Sequence, residues 1–393
     1  MPTSFMPPRR TLMGPGPSDV SERVLAALAR PTIGHLDPAF VAMMDELKGL
    51  LQFAFQTGNA LTLPVSAPGS AGMETCFVNL IGPGDTAIVA QNGVFGGRMR
   101  ENVERCGARA ILVEDEWGHP VDPNKVEDAL RAHPEASIVA FVHAETSTGA
   151  RSDAQELCTL ATHHNCLSIV DAVTSLGGID VDVDGWGADA VYSGTQKCLS
   201  CVPGIAPVTF GERAVEHIRN RKHKAQSWFL DLDLVMGYWG DNEKRTYHHT
   251  APVNTLYALH EALLILHEEG LKNAWHRHNY HHRALAAGLE ALGMTFVVAP
   301  EWRLPQLNSV RIPAGLDDAV VRARLLNEYD LEIGAGLGPL AGTVWRIGLM
   351  GYSCNRDNVL LCLRALGRII SENDSTLDAS TGTRAAENVY ASA

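Results

Sequence analysis

Short apolar runs alternate with amphipathic stretches over the first half of the chain. Seven such runs lie at 60–65, 86–90, 110–113, 138–143, 167–170, 188–192 and 205–210, and helical spacing separates several of them, as at 97–106, 123–132 and 153–164. Further helices are predicted at 24–28, which Ser18 or Ser21 can cap, and at 38–55. This alternation predicts an α/β fold with a mostly parallel sheet and helices on both faces.

The pattern changes towards the C-terminus and predicts a second, smaller α+β domain. Two long helices, 253–270 and 271–292, are followed by short strands at 295–298, 309–312 and 331–333, with helices at 317–329 and 356–370. We therefore divide the chain into an N-terminal arm at 1–13, a large domain at 14–270 and a small domain at 271–371. Residues 372–393 lack apolar periodicity, which predicts a disordered tail.

Composition and charge narrow the possible partners. The chain of 393 residues can bury a large core, and its formal net charge of −13 argues against nucleic acid or an anionic membrane as a partner. No uncharged apolar run reaches about 18 residues, the length of a membrane-spanning helix. Residues 1–10 lack a signal-peptide core, and the final Tyr-Ala-Ser-Ala is not a peroxisomal address. We therefore expect a cytoplasmic protein.

Two ionisable residues follow neighbouring apolar runs. Asp171 ends the run at 167–170, and Lys197 follows the run at 188–192 after Ser193-Gly-Thr-Gln196. Parallel strands end at the sheet edge where open α/β folds bind ligands. A lysine desolvated there can form a Schiff base, and a carboxylate can keep a pyridine nitrogen protonated, which suits pyridoxal 5′-phosphate (PLP). By itself the spacing favours an ordinary structural pair, because many α/β proteins contain one.

Three stretches near strand ends carry groups that suit a planar, phosphorylated ligand. The small-residue turn at 66–72, which includes Pro68, Gly69 and Ser70, leaves N–H groups free at a helix N-terminus for a phosphate. Phe95, flanked by glycines, can stack on a ring or pack in the core. The hydroxyls within 143–149 can bond a phenolic oxygen or cap the next helix.

Arg346 and the stretch Tyr247-His-His-Thr250 are candidates for binding anions. Arg346 lies in an apolar, strand-like stretch, where a buried arginine needs a carboxylate partner. On sequence alone a protein acid is favoured over the carboxylate of a substrate as that partner. The polar, aromatic stretch 247–250 fits an anion site or an ordinary helix start.

The cysteines and clustered histidines predict no metal centre. Cys198-Leu-Ser-Cys201 is a C-x-x-C pair, but no second pair lies at zinc-site spacing, so structural packing is favoured. His278 and His282 share a helix face, but no carboxylate completes a metal site there, and a solvated face is favoured.

Taken together, these stretches resemble the class V aminotransferases of PLP fold type I, and in particular the alanine–glyoxylate (serine–pyruvate) aminotransferase branch. The resemblance covers nearly the whole chain and is carried by an ordered set of motifs: Gly14-Pro-Gly-Pro17, Asn92-Gly93, His-x-Glu-x-Ser-Thr-Gly at 143–149, Val170-Asp171, Ser175-Leu-Gly-Gly178, Gln196-Lys197, Tyr247-His-His-Thr250, Gly336-Leu-Gly338 and Arg346-Ile-Gly-Leu349. It implies a large domain with a mostly parallel seven-stranded sheet, a smaller C-terminal α+β domain, PLP as cofactor, and a homodimer with shared active sites.

The resemblance also implies roles for the matching residues. Lys197 would form the Schiff base and move the substrate proton, and Asp171 would pair with the pyridine nitrogen. Arg346 would bind the substrate carboxylate, helped by the loop that contains Gly16. The other cofactor-binding residues would be Pro68, Gly69, Ser70, Phe95, Thr146, Thr174 and Gln196, with Tyr247 and Thr250 from the partner subunit. Two features depart from the family pattern: Phe95 stands where some relatives have tryptophan, and Ser66-Ala-Pro-Gly-Ser70 replaces Ser-Gly-x-Gly.

The implied reaction is ping-pong transamination from alanine or serine to glyoxylate, giving glycine and pyruvate or hydroxypyruvate. A ureidoglycine–glyoxylate aminotransferase is the alternative within the same fold. In that reading His35 and Asn254 would bind a polar donor, although capping or packing explains both residues equally well. A lyase or cysteine desulfurase would need an activated cysteine, for which Cys354 is the candidate.

Overall fold

The computed structural model describes residues 2–240, 245–373 and 376–392 of the chain. Over these residues the strands are β1 (Thr11–Leu12), β2 (Leu61–Val65), β3 (Thr86–Gln91), β4 (Arg109–Glu114), β5 (Ile138–Val142), β6 (Ala144–Glu145), β7 (Ala150–Arg151), β8 (Leu167–Asp171), β9 (Ala190–Tyr192), β10 (Ala206–Phe210), β11 (Leu307–Arg311), β12 (Leu331–Glu332), β13 (Gly334–Ala335) and β14 (Val344–Gly348). The helices are α1 (Glu22–Leu28), α2 (Pro38–Phe55), α3 (Gly69–Leu80), α4 (Val94–Arg105), α5 (Pro123–Ala132), α6 (Ala154–His163), α7 (Val183–Trp186), α8 (Glu212–Asn220), α9 (Leu232–Trp239), α10 (Val253–Glu269), α11 (Leu271–Ala291), α12 (Asp318–Tyr329), α13 (Arg356–Ser371) and α14 (Thr381–Ala391).

Seven strands form the central sheet, in the order β2-β10-β9-β8-β5-β3-β4. Only β10 runs antiparallel to its neighbours, β2 and β9, so the prediction of a mostly parallel α/β sheet is confirmed. All five residues of β5 and of β8 are buried, as expected for central strands covered by helices on both faces. The register places Val142, Asp171 and Tyr192 side by side at the carboxyl edge.

A second hydrophobic core lies around the antiparallel sheet β11-β14-β13. Trp345 and Ile347 on β14 are fully buried in it, packed with residues of α11, α12 and α13. The N-terminal arm takes part in this core, because β1 pairs with β12 and Met13 is fully buried there. The strand predicted at 295–298 is absent, and Phe296 makes only an isolated bridge to Val310.

The prediction of a disordered tail at 372–393 is wrong for residues 381–391, which form α14. This helix packs on α11 and α13, with Ala386 fully buried. The Tyr390 hydroxyl lies 2.9 Å from His281 Nδ1, and the Arg356 guanidinium lies over the Tyr390 ring. Small residues allow the close approach, whereas sequence periodicity registers large apolar ones. Residues 374, 375 and 393 lie outside the described residues.

The histidines of α11 are also placed differently from the prediction. His278 is fully buried, and its two ring nitrogens bond to the Ala274 carbonyl oxygen at 2.6 Å and the Gly351 N–H at 2.9 Å. His282 bonds to the Asn308 side chain at 2.7 Å. The predicted solvated face is therefore wrong for His278, which joins α11 to the loop after β14.

Candidate active site

Asp171 lies at the carboxyl end of β8, among buried groups that fix its orientation. Its two carboxylate oxygens accept hydrogen bonds from the Val173 N–H at 2.8 Å and the Tyr192 hydroxyl at 2.7 Å. Burial raises the pKa of Asp171 to about 6, although both hydrogen bonds and the charge of Lys197 oppose that rise. Tyr192 was not predicted as a site residue; the only sequence signal was its position at the end of the run next to that of Asp171.

Lys197 follows β9 and is covered by the loop that leads out of the N-terminal arm. Its Nζ donates to the carbonyl oxygen of Pro15, and the Ser18 hydroxyl donates to the Lys197 carbonyl oxygen at 2.8 Å. Gly16 has a φ of +103°, and a Cβ there would lie 2.6 Å from Lys197 Nζ. Only glycine therefore allows this loop to approach the lysine so closely.

The ammonium group of Lys197 is destabilised in this setting. Only 8% of the residue is exposed. Burial is the main cause that lowers its pKa to about 8, and the positive charge of Arg346 adds to the effect. A substantial fraction of the lysine is then neutral near physiological pH, which is the form that attacks a carbonyl.

Arg346 projects from β14 and forms no ion pair with any acid in the described part of the chain. Its Nε donates to the Ala335 carbonyl oxygen at 2.7 Å and its Nη1 to the Thr146 carbonyl oxygen at 3.2 Å. Burial lowers its pKa to about 10, and Glu145 opposes this from a distance. The interpretation that a protein acid pairs with Arg346 is therefore wrong, and the guanidinium has donors available for an incoming carboxylate.

The remaining predicted cofactor residues surround the same edge. Phe95 lies in the first turn of α4, and the Arg98 guanidinium lies 4.8 Å over its half-buried ring. The hydroxyls of Thr146 and Thr174 are buried and bonded to each other. These groups stand at the ends of β3, β5 and β8, which are neighbours in the sheet.

The N-terminus of α3 has the properties of a phosphate site. Pro68 precedes the helix without a side-chain cap, and the N–H groups of Gly69 and Ser70 find no acceptor among the residues that are described. A Cβ at Gly69 would contact the Ser193 carbonyl oxygen and Gly194 Cα at 3.5 Å, so this helix end lies against the segment before Lys197. Gln196 ends that segment, and its buried Oε1 has no hydrogen-bond partner in the same part of the chain, although this oxygen accepts and is not a donor to a phosphate. Free donors at a helix N-terminus suit a phosphate.

Four of the predicted site residues do not contact the site around Asp171, Lys197 and Arg346 within the described residues of a single chain. Tyr247 is 65% exposed and Thr250 is also exposed. His35 lies against Tyr247 and bonds to the Tyr238 hydroxyl at 2.9 Å. The Asn254 amide donates to the carbonyl oxygens of Leu28 and Arg30 and accepts from the Thr32 hydroxyl. That amide is therefore committed to the connection after α1.

The Aminotransferase class-V family model matches residues 27–357. The chain belongs to the class V aminotransferases. Among its relatives, the (S)-ureidoglycine–glyoxylate transaminase of Bacillus subtilis is 38% identical over 98% of this chain and 96% of that protein. The alanine–glyoxylate aminotransferase of Rattus norvegicus is 39% identical over 89% of this chain and 85% of that protein. The fold type I architecture and the use of PLP follow from this membership.

Two solved structures show the same architecture over nearly the full length of the aminotransferase. The alanine–glyoxylate aminotransferase of Nostoc sp. superposes with a TM-score of 0.92 at 43% identity, over 94% of this chain and 97% of that one. The ureidoglycine–glyoxylate aminotransferase of Bacillus subtilis gives a TM-score of 0.95 at 38% identity, over 99% and 100%. The relatives thus agree on an aminotransferase and differ in the amino donor that their names give.

The residues of this chain fit PLP. A lysine with a lowered pKa, a buried carboxylate and a helix N-terminus with free N–H groups converge on one edge. By contrast, Cys354 is buried, and burial raises its pKa to about 12, so it is neither mobile nor activated as cysteine desulfuration would require.

The pH dependence of PLP rebinding tests the environment of Lys197. Because the neutral amine attacks the aldehyde of PLP, we expect the rate of reconstitution of the apoenzyme to rise about tenfold per pH unit below pH 8 and to level off above it. Growth of the visible absorbance band measures this rate. Arg346→Gln should move the midpoint to higher pH, because it removes a charge that lowers the pKa of Lys197. Arg98→Gln is the matched control and should leave it in place; a midpoint above pH 10 in the unmutated protein would contradict the account.

Proposed function

We propose that this aminotransferase moves the amino group of a small L-amino acid, alanine or serine, to glyoxylate. The observation that carries the proposal is Arg346, a buried guanidinium whose hydrogen-bond partners among the described residues are carbonyl oxygens and whose charge acts on Lys197. A bidentate arginine of this kind recognises one carboxylate. The products would be glycine together with pyruvate or hydroxypyruvate, formed in a ping-pong cycle.

The residues divide the chemical work between binding and proton transfer. When bound, PLP supplies an electron sink that makes the α-proton of an amino acid acidic. Asp171 would pair with the pyridine nitrogen of PLP, and Phe95 would stack on the PLP ring. Thr146 and Thr174 would lie beside the phenolic oxygen of the cofactor. Lys197, neutral at its lowered pKa, would accept the α-proton and donate it again. Arg346 would orient the amino acid by its carboxylate, and the Gly16 loop would exclude water above the lysine.

The charges around the site favour a donor with one carboxylate. Besides Arg346, Arg98 contacts a predicted site residue, but it is exposed and lies over the Phe95 ring. A second carboxylate on the donor, as in aspartate or glutamate, would therefore have no buried cation to receive it. The relatives named above support glyoxylate as the acceptor, because both the alanine and the ureidoglycine enzymes carry it in their names.

Ureidoglycine is the second candidate for the donor. It is supported by the likeness to the Bacillus subtilis enzyme, which covers 99% of this chain and all of that one. One observation argues against ureidoglycine. The amide of Asn254, a residue expected to bind a polar donor, is already hydrogen-bonded to Leu28, Arg30 and Thr32. We therefore place alanine and serine first.

We also propose that the protein is a homodimer in which both subunits contribute residues to each active site. Tyr247 and Thr250 are exposed in the single chain, as residues that reach into a partner must be. Phe5 and Met6 in the N-terminal arm are 84% and 82% exposed, which an apolar contact with a second subunit would relieve. Within the described residues, no helix has the length and apolar character to cross a membrane. We further propose a cytoplasmic location, which the eight unpaired cysteines support.

Arg346→Gln tests the binding of the substrate carboxylate. Loss of a charge-assisted, bidentate interaction of about 2–3 kcal/mol should raise the KM for the amino donor roughly 30- to 150-fold. Bound PLP should remain, because Arg346 contacts Thr146 through its main-chain carbonyl oxygen and not through the hydroxyl assigned to the cofactor. Steady-state kinetics and the visible spectrum measure both effects. Loss of PLP, with the KM of the remaining holoenzyme unchanged, would show instead that the arginine is structural.

A donor panel distinguishes the two candidate functions. The PLP-loaded protein is mixed separately with L-alanine, L-serine, L-aspartate and freshly prepared ureidoglycine, without an acceptor, and the visible band is followed. We expect rapid bleaching with alanine or serine, little with aspartate, and recovery when glyoxylate is added. Lys197→Ala is the negative control and should show no turnover. Bleaching by ureidoglycine alone would assign the protein to that reaction and contradict the first candidate.

A further inference from the structure

Helix α4 carries Phe95 in its first turn, and the residue before the helix provides no capping side chain. Its N-cap residue is Gly93, which has no side chain to accept from the first N–H groups. Two side chains about 50 residues away do so instead. The Val94 N–H donates to Ser147 Oγ at 3.1 Å, and the Phe95 N–H donates to Glu145 Oε2 at 3.3 Å.

Gly93 is required for this arrangement, because the carboxylate approaches the main chain closely. A Cβ at Gly93 would lie 2.3 Å from Glu145 Cδ and 2.5 Å from Ser147 Oγ. No other residue type fits without displacing one of these two side chains. Glycine at position 93 thus provides no capping side chain, but it leaves space for the Glu145 carboxylate from β6, which caps the helix instead.

Glu145 is fully buried and is held from several sides. Its Oε1 accepts from the Ser147 N–H at 3.0 Å and from the Ser147 hydroxyl at 2.6 Å. Its carbonyl oxygen accepts from the N–H groups of Thr148 and Gly149, which closes the turn after it. Three donors directed at one buried carboxylate fix its position and favour its charged form.

The same turn holds two other site residues. Thr146 follows Glu145 directly, its hydroxyl bonds to Thr174, and its carbonyl oxygen accepts from Arg346 Nη1. One carboxylate therefore connects the aromatic ring of Phe95, the hydroxyl beside the cofactor site and the arginine that binds the substrate. The negative charge also interacts favourably with the N-terminal end of the α4 dipole.

Burial opposes this charge. It raises the pKa of Glu145 to about 7, and the nearby charge of Asp171 adds to the rise, while the hydrogen bonds from Ser147 and Phe95 lower it. A carboxylate kept in this buried position by three donors from two residues, Ser147 and Phe95, is a specific feature of this edge of the sheet, since an apolar side chain could otherwise fill the space.

We infer that Glu145 is a positioning residue for transamination: it caps α4 from a distance and so sets the Phe95 ring against the cofactor, in register with Thr146 and Arg346. This inference rests on the proposed stacking of Phe95 on PLP. It adds a positioning residue that acts through the Phe95 ring.

Glu145→Gln tests the inference, because the amide keeps the shape of the side chain and presents an NH2 group to a donor. We expect kcat to fall about tenfold or more and the visible circular dichroism of bound PLP, which reports ring orientation, to lose at least about half of its amplitude. Glu261→Gln is the matched control. Glu261 is also buried and is paired with Arg23 and Arg30, away from the site, so this change should lower only the melting temperature. A Glu145→Gln protein with a lower melting temperature but unchanged kcat and dichroism would overturn the inference.

A double-mutant cycle with Phe95→Ala separates the inference from the function it rests on. If Glu145 acts through Phe95, Glu145→Gln should change kcat by less than about twofold in the Phe95→Ala background. A full, additive effect there would contradict the inference. If Phe95→Ala alone leaves PLP affinity and dichroism unchanged, the stacking role of Phe95 fails instead.

Ser147→Ala is a second test if the Glu145→Gln protein does not fold. This change removes the hydroxyl that accepts from the Val94 N–H and donates to Glu145. It should shift kcat and dichroism in the same direction as Glu145→Gln, and no shift would overturn the inference.

Discussion

Two buried acids and two buried bases lie together at the carboxyl edge of the central sheet, where hydrogen bonds and opposite charges oppose the desolvation that disfavours their charged forms. They are Glu145, Asp171, Lys197 and Arg346, none more than 8% exposed. Burial is the largest influence on the pKa of each one and disfavours its charged form. Lys197 and Asp171 act against it for each other, Glu145 acts against it for Arg346, and hydrogen bonds from Ser147 and Phe95 act against it for Glu145. The four sum to zero net charge when all are ionised.

The buried groups come from distant parts of the chain. Asp171 and Tyr192 come from adjacent parallel strands, Arg346 comes from the sheet of the second core, and the loop at Gly16 follows the N-terminal arm. Each element excludes water from the others, and desolvation is what leaves Lys197 partly neutral. The same exclusion gives Arg346 a strong preference for an incoming carboxylate, because no acid in the described part of the chain forms an ion pair with it.

The sequence predicted the parts of this site that depend on local pattern. Lys197 and Asp171 could be found because each follows an apolar run, and parallel strands carry their ends to a common edge. Tyr192 and Glu145 could not be assigned in the same way. The first depends on the register between β8 and β9, and the second on a cap formed across about 50 residues. The partner of Arg346 was predicted wrongly because sequence does not show which acids lie near a buried guanidinium.

Contacts between distant elements were also missed away from the site. Helix α14 was missed because its contacts with α11 depend on small residues, and His278 was expected at the surface because its two buried partners, Ala274 and Gly351, are main-chain groups. Patterns along single elements predicted the seven strands of the central sheet, whereas the short alternating strand predicted at 295–298 is absent. Where a contact joins two elements through main-chain atoms or glycine, prediction failed.

The most direct test of the account is to locate the cofactor on the chain. The PLP-loaded protein is reduced with borohydride, digested and analysed by mass spectrometry. We expect a phosphopyridoxyl group on Lys197, in a peptide that also contains Cys198 and Cys201. Modification of a different lysine, or a reduced protein without any modified peptide, would contradict the assignment of this edge of the sheet as the active site.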